Sequence, residues 1–216
     1  MSDPAAEQTR GPDTKATFAT EAKIREAIRA THPARAGEVW IDEFSVPGTK
    51  ERVDLALVGG VLSAFEIKTE RDDLRRLPRQ LEAFSRLFDH CSVAVAEKHL
   101  PGCESMLPEW WGISVASLGA TGVALEEVRQ AGLSPEPDPA LLVRLLWKGE
   151  VEEAVREIAA PSPPQASRQV LWAALLQYGS PGEVKRLVCD ALRRRDGAGA
   201  RLPSNRFNVR RPVVDP

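Results

Sequence analysis

The chain has 216 residues, of which 43% are apolar, with 29 Lys and Arg against 31 Asp and Glu. That length suits one medium domain with a smaller appendage, and a formal charge of -2 argues against indiscriminate coating of nucleic acid. No run is apolar enough to cross a membrane, the N-terminal stretch does not read as a secretory signal, and three scattered cysteines, Cys91, Cys103 and Cys189, fit a reducing cytoplasm.

In chain order, residues 1–17 are polar, contain prolines and read as disordered. From Thr20, a fitting N-cap, the segment to Ile28 reads as a helix. Val39–Val46 reads as a strand. Arg52–Lys68 holds two apolar runs flanking Gly59-Gly60 and reads as a β-hairpin. Leu77, Leu81, Phe84 and Phe88 recur at helical spacing, with Pro78 in the first turn. Ser92–Ala96 and Gly112–Ala116 read as two further strands.

The hairpin carries the chemistry. Asp54 sits on its first strand, and Glu66 and Lys68 share one face of the second. Buried carboxylates and an ammonium are costly unless paired or bound to metal. Two acids and a lysine are what a Mg²⁺- or Mn²⁺-dependent phosphodiester hydrolase needs: the carboxylates hold a hard cation and the lysine orients water. Register decides whether they meet. A plain two-residue loop at Gly59-Gly60 puts Asp54 and Glu66 on opposite faces, whereas a three-residue loop sets Asp54 across from Glu66, with Ala56 and Ala64 leaving space beside them.

Four groups of residues are weaker candidates. Glu43 is either a third metal ligand or a strand-edge acid. Arg71, Arg75, Arg76 and Arg79 follow Lys68 and either grip phosphates or pair with the interspersed Glu70, Asp72, Asp73 and Glu82. Arg76 and Arg79 are the favoured pair. His90 and His99 show no zinc-ligand spacing, and Trp110-Trp111 reads as core rather than a stacking platform.

The order helix, three strands, helix, strand, together with Ile41-Asp42-Glu43-Phe44, Arg52-Val53-Asp54, Phe65-Glu66-Ile67-Lys68, Arg76-Leu77-Pro78-Arg79-Gln80, Glu97-Lys98-His99-Leu100 and Pro108-Glu109-Trp110-Trp111-Gly112-Ile113, resembles the PD-(D/E)XK nuclease superfamily. Within it, the chain resembles a largely uncharacterised bacterial and phage family, over about Glu21 to Trp147. The resemblance implies an α/β restriction-endonuclease-like core carrying a three-stranded antiparallel meander. It places the metal on Asp54, Glu66 and the Ile67 carbonyl, the catalytic lysine at Lys68 and a helix glutamine at Gln80. Relatives often carry a further acid on the first helix, here Glu21, with Glu26 as its competitor. A tyrosine common in relatives is replaced by Phe84, which cannot hydrogen-bond a phosphate.

The expected organisation is a nuclease-like core over 18–130, a Pro-rich linker over 131–139 and a helical subdomain over 140–194, with its first helix interrupted near Gly149. A basic tail follows over 195–216. Seven arginines face one acid, Asp196, between Ala191 and Arg211, which suits an arm on phosphates or a solubilising end. The expected activity is that of a cytoplasmic metal-dependent endonuclease with nucleic acid, DNA favoured, as partner. The alternative is a non-catalytic nucleic-acid-binding or scaffold module on the same fold. A homodimer and a protein partner on the C-terminal helices remain open.

Overall fold

A computed structural model describes residues 18–135 and 137–196. Helix α1 spans Glu21–Thr31 and starts where expected, the Thr20 hydroxyl accepting the Lys23 N–H at 3.4 Å. Strands β1 (Val39–Ser45), β2 (Arg52–Val58) and β3 (Leu62–Lys68) form an antiparallel meander. Helix α2 (Leu77–Ser85), with Pro78 in its first turn, crosses over to β4 (His90–Val95), which lies parallel to β3. Helix α3 (Leu100–Met106) leads to β5 (Gly112–Leu118), parallel to β4, and β6 (Val123–Arg129) closes the six-stranded sheet antiparallel to β5. The result is a mixed α/β fold.

Two elements escape the sequence pattern. Helix α3 is short and carries Pro101-Gly102, both poor helix residues. Strand β6 is an edge strand whose Glu126-Glu127 breaks the alternation, and charges there blunt an exposed edge.

The C-terminal helices pack on the core. Helices α4 (Pro139–Leu142), α5 (Lys148–Glu157), α6 (Arg168–Tyr178) and α7 (Pro181–Asp196) bury Leu141, Leu142, Val151, Leu175, Val188 and Leu192 in the same hydrophobic cluster as Phe44, Val53, Leu62 and Phe84. The segment expected as a linker is stitched to the core: Ser134 N–H donates to Asp89 O (2.7 Å) and Asp138 N–H to Arg86 O (2.8 Å). An apolar face that wide needs a partner surface, and the sheet supplies it. The interruption falls at Trp147 rather than Gly149, because Glu150 reaches back to the Trp147 N–H at 2.7 Å and caps α5 there.

Helix α7 likewise overruns the expected tail. Arg195 is buried, donates to Glu150 and to Leu145 O (2.8 Å), and lies 4.3 Å from the Trp147 ring centre. Arg193 donates to Gly37 O at 2.9 Å, and Arg194 pairs with Glu153 at 3.8 Å. Three of the seven arginines therefore lie on a helix, Arg193 and Arg195 as pins and Arg194 in an exposed pair. The other four, and the stretch 1–17, lie outside the described residues.

The opposite face of the sheet holds a smaller cluster, in which Ile24 and Ile28 of α1 pack on Leu55, Phe65 and Ile67. Among the described residues no helix is long and apolar enough to cross a membrane.

Candidate metal centre

The β2–β3 register is Leu55–Phe65, Ala56–Ala64 and Val58–Leu62, so Gly59, Gly60 and Val61 form a three-residue loop closed by Gly59 N–H to Val61 O at 3.0 Å. That register sets Asp54 against Glu66. Ala56, Val58, Leu62 and Ala64 lie on the shared face and are fully buried in the larger cluster.

The strands change phase at the acid. Ala56 and Val58 pack in the larger cluster and Leu55 in the smaller, yet Val53 returns to the larger one. On β1 the matching break is at Glu43, which takes a left-handed backbone (φ 55°) between the pairs Asp42–Leu55 and Phe44–Val53. A non-glycine residue rarely adopts that region, and its cost is met by the surrounding sheet. The register on either side of that break sets Glu43 across from Asp54.

Glu66, Lys68 and Gln80 form a buried triad. Lys68 Nζ donates to Glu66 Oε1 (2.7 Å) and Gln80 Oε1 (3.0 Å), and Gln80 Nε2 donates to the same Glu66 Oε1 at 2.6 Å. Glu66 is 3% exposed, and its other oxygen, Oε2, is buried with no hydrogen-bond partner among the described residues. Asp54 Oδ2 accepts the Ile67 N–H at 2.7 Å. Burial first, and then the Glu66 charge, push the Asp54 carboxyl up to about 7, against the pull of Ile67 N–H and Arg25. Glu66 is also raised by burial, with Lys68 opposing.

These residues line a cleft of about 450 Å³ together with Glu21, Glu43, Ser45, Lys50, Arg52, Asp72 and Arg76. Carboxylate oxygens of Glu21, Glu43 and Asp54 all lie within 4.8 Å of one another. Glu21 therefore joins the site, whereas Glu26 stays exposed outside it. An all-oxygen donor set with one unpartnered buried carboxylate oxygen suits a hard divalent cation. Of the four arginines after Lys68, only Arg76 lines the cleft, 3.5 Å from Glu51. Arg75 is exposed and pairs with Asp73 at 2.6 Å, drawing that carboxyl down to about 2. Arg71 and Arg79 are exposed beyond the lining.

Other candidates pack as structure. His90 Nδ1 lies 2.8 Å from Gly132 O and His99 Nε2 3.1 Å from Thr69 O. Trp111 is buried, its indole N–H donating to Ser85 Oγ at 3.1 Å. The three cysteines are buried and free, and burial pushes the Cys103 and Cys189 thiols up to about 11. Sequence reasoning missed Arg25, Lys50 and Arg52. The available signals were the i,i+4 spacing of Glu21 and Arg25, and the Pro47-Gly48 turn that brings Lys50 back beside β1.

Among known proteins, the chain is similar to protein cII of Enterobacteria phage P4, at 23% identity over 155 residues. That match covers 72% of this chain and 58% of the phage protein, so the chain spans little more than half the length of that relative. Among solved structures it is similar to a protein of unknown function from Silicibacter pomeroyi, at 22% identity and a TM-score of 0.37, covering 82% of this chain and 90% of the other. The family model of bacteriophage P4 protein cII matches residues 13–203, nearly the whole length, and the chain belongs to that family.

Proposed function

We propose that the chain is a metal-dependent nuclease with a restriction-endonuclease-like core, acting in the cytoplasm on nucleic acid, with DNA as the favoured substrate. One observation carries this reading: both donors near Glu66 converge on Oε1, leaving Oε2 bare beside Asp54 in a cleft. A purely structural buried carboxylate has both oxygens satisfied. Asp54, Glu66 and the Ile67 carbonyl, with Glu43 and Glu21 alongside, would hold Mg²⁺ or Mn²⁺. Such a cation supplies charge stabilisation at the scissile phosphate and a more acidic water.

The chain's own residues do the rest. Lys68, fixed by Glu66 and Gln80, has a third N–H without a partner among the described residues and offers it to water in the cleft. Gln80 fixes the Lys68 ammonium and the Glu66 carboxylate in one plane of contacts, so neither must reorganise during the reaction. Lys50 and Arg76 at the cleft rim supply positive charge for the phosphate backbone.

A second reading, a non-catalytic nucleic-acid-binding module on this fold, draws on the Arg25 guanidinium that lies among the acids. Purified full-length protein offered single- and double-stranded DNA and RNA, with Mg²⁺ and with Mn²⁺, separates the two. Cleavage is expected, falling by about 10²-fold or more in Asp54→Asn and in Lys68→Ala. Nucleic-acid binding should survive in Asp54→Asn. Hydrolysis left unchanged by both substitutions would place the activity elsewhere, and binding without hydrolysis in the wild type would favour the second reading.

A further inference from the structure

Arg25 is the most heavily engaged cation of the cleft region. Its Nε and Nη2 donate to Glu21 Oε1 at 2.9 and 2.6 Å, and Nη2 also meets Glu43 Oε1 and, at 3.3 Å, Asp54 Oδ1. Its Nη1 donates to the Asp54 carbonyl at 2.6 Å and to Asp42 Oδ1 at 3.2 Å. The side chain is only 15% exposed. One nitrogen, Nη2, thus lies against the same three carboxylates whose oxygens come within 4.8 Å of each other.

Those carboxylates are the ones expected to serve a divalent cation, and an independent feature points the same way: Glu66, which lines the same cleft, has a buried Oε2 with no hydrogen-bond partner among the described residues. A Mg²⁺ ion needs oxygens at about 2.0–2.1 Å in near-octahedral array. It cannot share Glu43 Oε1 and Asp54 Oδ1 with a guanidinium nitrogen already in contact with both. Nor can Arg25 step aside by losing its proton, because guanidinium stays charged in proteins. It must move.

The surroundings allow that movement. Asp42 keeps Arg29 at 2.8 Å, and Glu43 Oε2 keeps Arg52 at 2.5 Å, so Arg25 can leave without stranding either acid. We infer that Arg25 is a built-in occupant of the cation site, and that its contact with Glu43 and Asp54 and the binding of a divalent metal ion exclude each other. This rests on the metal-centre reading above. A phosphodiester in the cleft offers Arg25 its next anion, so nucleic acid and metal favour each other's binding, and by linkage each raises the other's affinity by the same factor.

The test is Mn²⁺ binding to the full chain without nucleic acid, followed by electron paramagnetic resonance and calorimetry. Arg25→Gln should bind Mn²⁺ roughly tenfold more tightly than the wild type, a change of about 1.4 kcal/mol. Arg25→Lys keeps a charge for the fold but cannot span three carboxylates, and should fall between the two. It also serves if Arg25→Gln fails to fold. Affinities equal to the wild type in every folded variant would overturn the exclusion while leaving the metal site standing. An absence of Mn²⁺ binding in wild type and variants alike would overturn both.

Discussion

Two buried carboxylates, Glu66 within β3 and Asp89 just before β4, have surroundings that teach opposite lessons. Asp89, at 6% exposure, uses both oxygens: Oδ2 accepts the Leu62 N–H at 2.8 Å and Oδ1 meets Lys185 of α7. Glu66, at 3% exposure, receives both of its donors on one oxygen and leaves the other bare. Asp89 is a structural pin that ties the last helix to the sheet. Glu66 keeps one oxygen without a hydrogen-bond partner among the described residues. Burial of a carboxylate alone marks neither; the distribution of donors between its two oxygens does.

The sharpest way to break this comparison is to remove the pin. Asp89→Ala strands the Lys185 ammonium and the Leu62 N–H, and should lower stability by about 3–5 kcal/mol in denaturant titration. A loss below about 1 kcal/mol would mean that Asp89 is no better satisfied in energetic terms than Glu66. A second pin extends the same logic. Arg195→Ala removes the partner of Glu150 and the cation over Trp147, so a loss of about 2–4 kcal/mol is expected.

The smallest effect concerns Asp54, the carboxylate across from Glu66. The Asp54 carboxyl rises from 3.8 to about 7, so between these values the folded chain binds more protons than the unfolded one. Stability without metal should therefore be fullest below pH 4 as far as this group is concerned, and should fall as pH climbs to 7. Asp54→Asn should flatten that slope by roughly 1 kcal/mol or more across the window, leaving the smaller share due to Glu66. Guanidinium-chloride midpoints from pH 4 to 8 measure it. A steeper slope in Asp54→Asn would show that burial does not destabilise the Asp54 charge.

Much of the site was legible because local rules constrain it. The demand that Asp54 and Glu66 share a face called for an odd loop or a bulge, and the loop Gly59–Val61 is odd; Gln80 came from the resemblance alone and packs on Glu66. Thr20 and Pro78 marked their helices for equally local reasons. What stayed hidden is long-range. Arg25 reaches Asp54 across 29 residues, and Lys185 reaches Asp89 across 96, and no periodicity encodes such contacts. The left-handed backbone at Glu43 was hidden for another reason, since glutamate carries no local signal for it. The C-terminal helices showed their apolar faces plainly, but a pattern says only that a face is buried, not against which neighbour.

The clasp between α7 and the first strands also orders events in time. Lys185 must return to Asp89, and Arg193 to the Gly37 carbonyl 156 residues earlier, before the sheet is fully tied. Contacts of such separation slow folding, because the closure entropy of the whole intervening chain is lost before they form. On the ribosome, the stretch from Glu21 to Gln80 emerges well ahead of the helix that holds its scaffold shut. Its apolar residues thus spend that interval without the α7 side of the core to pack against.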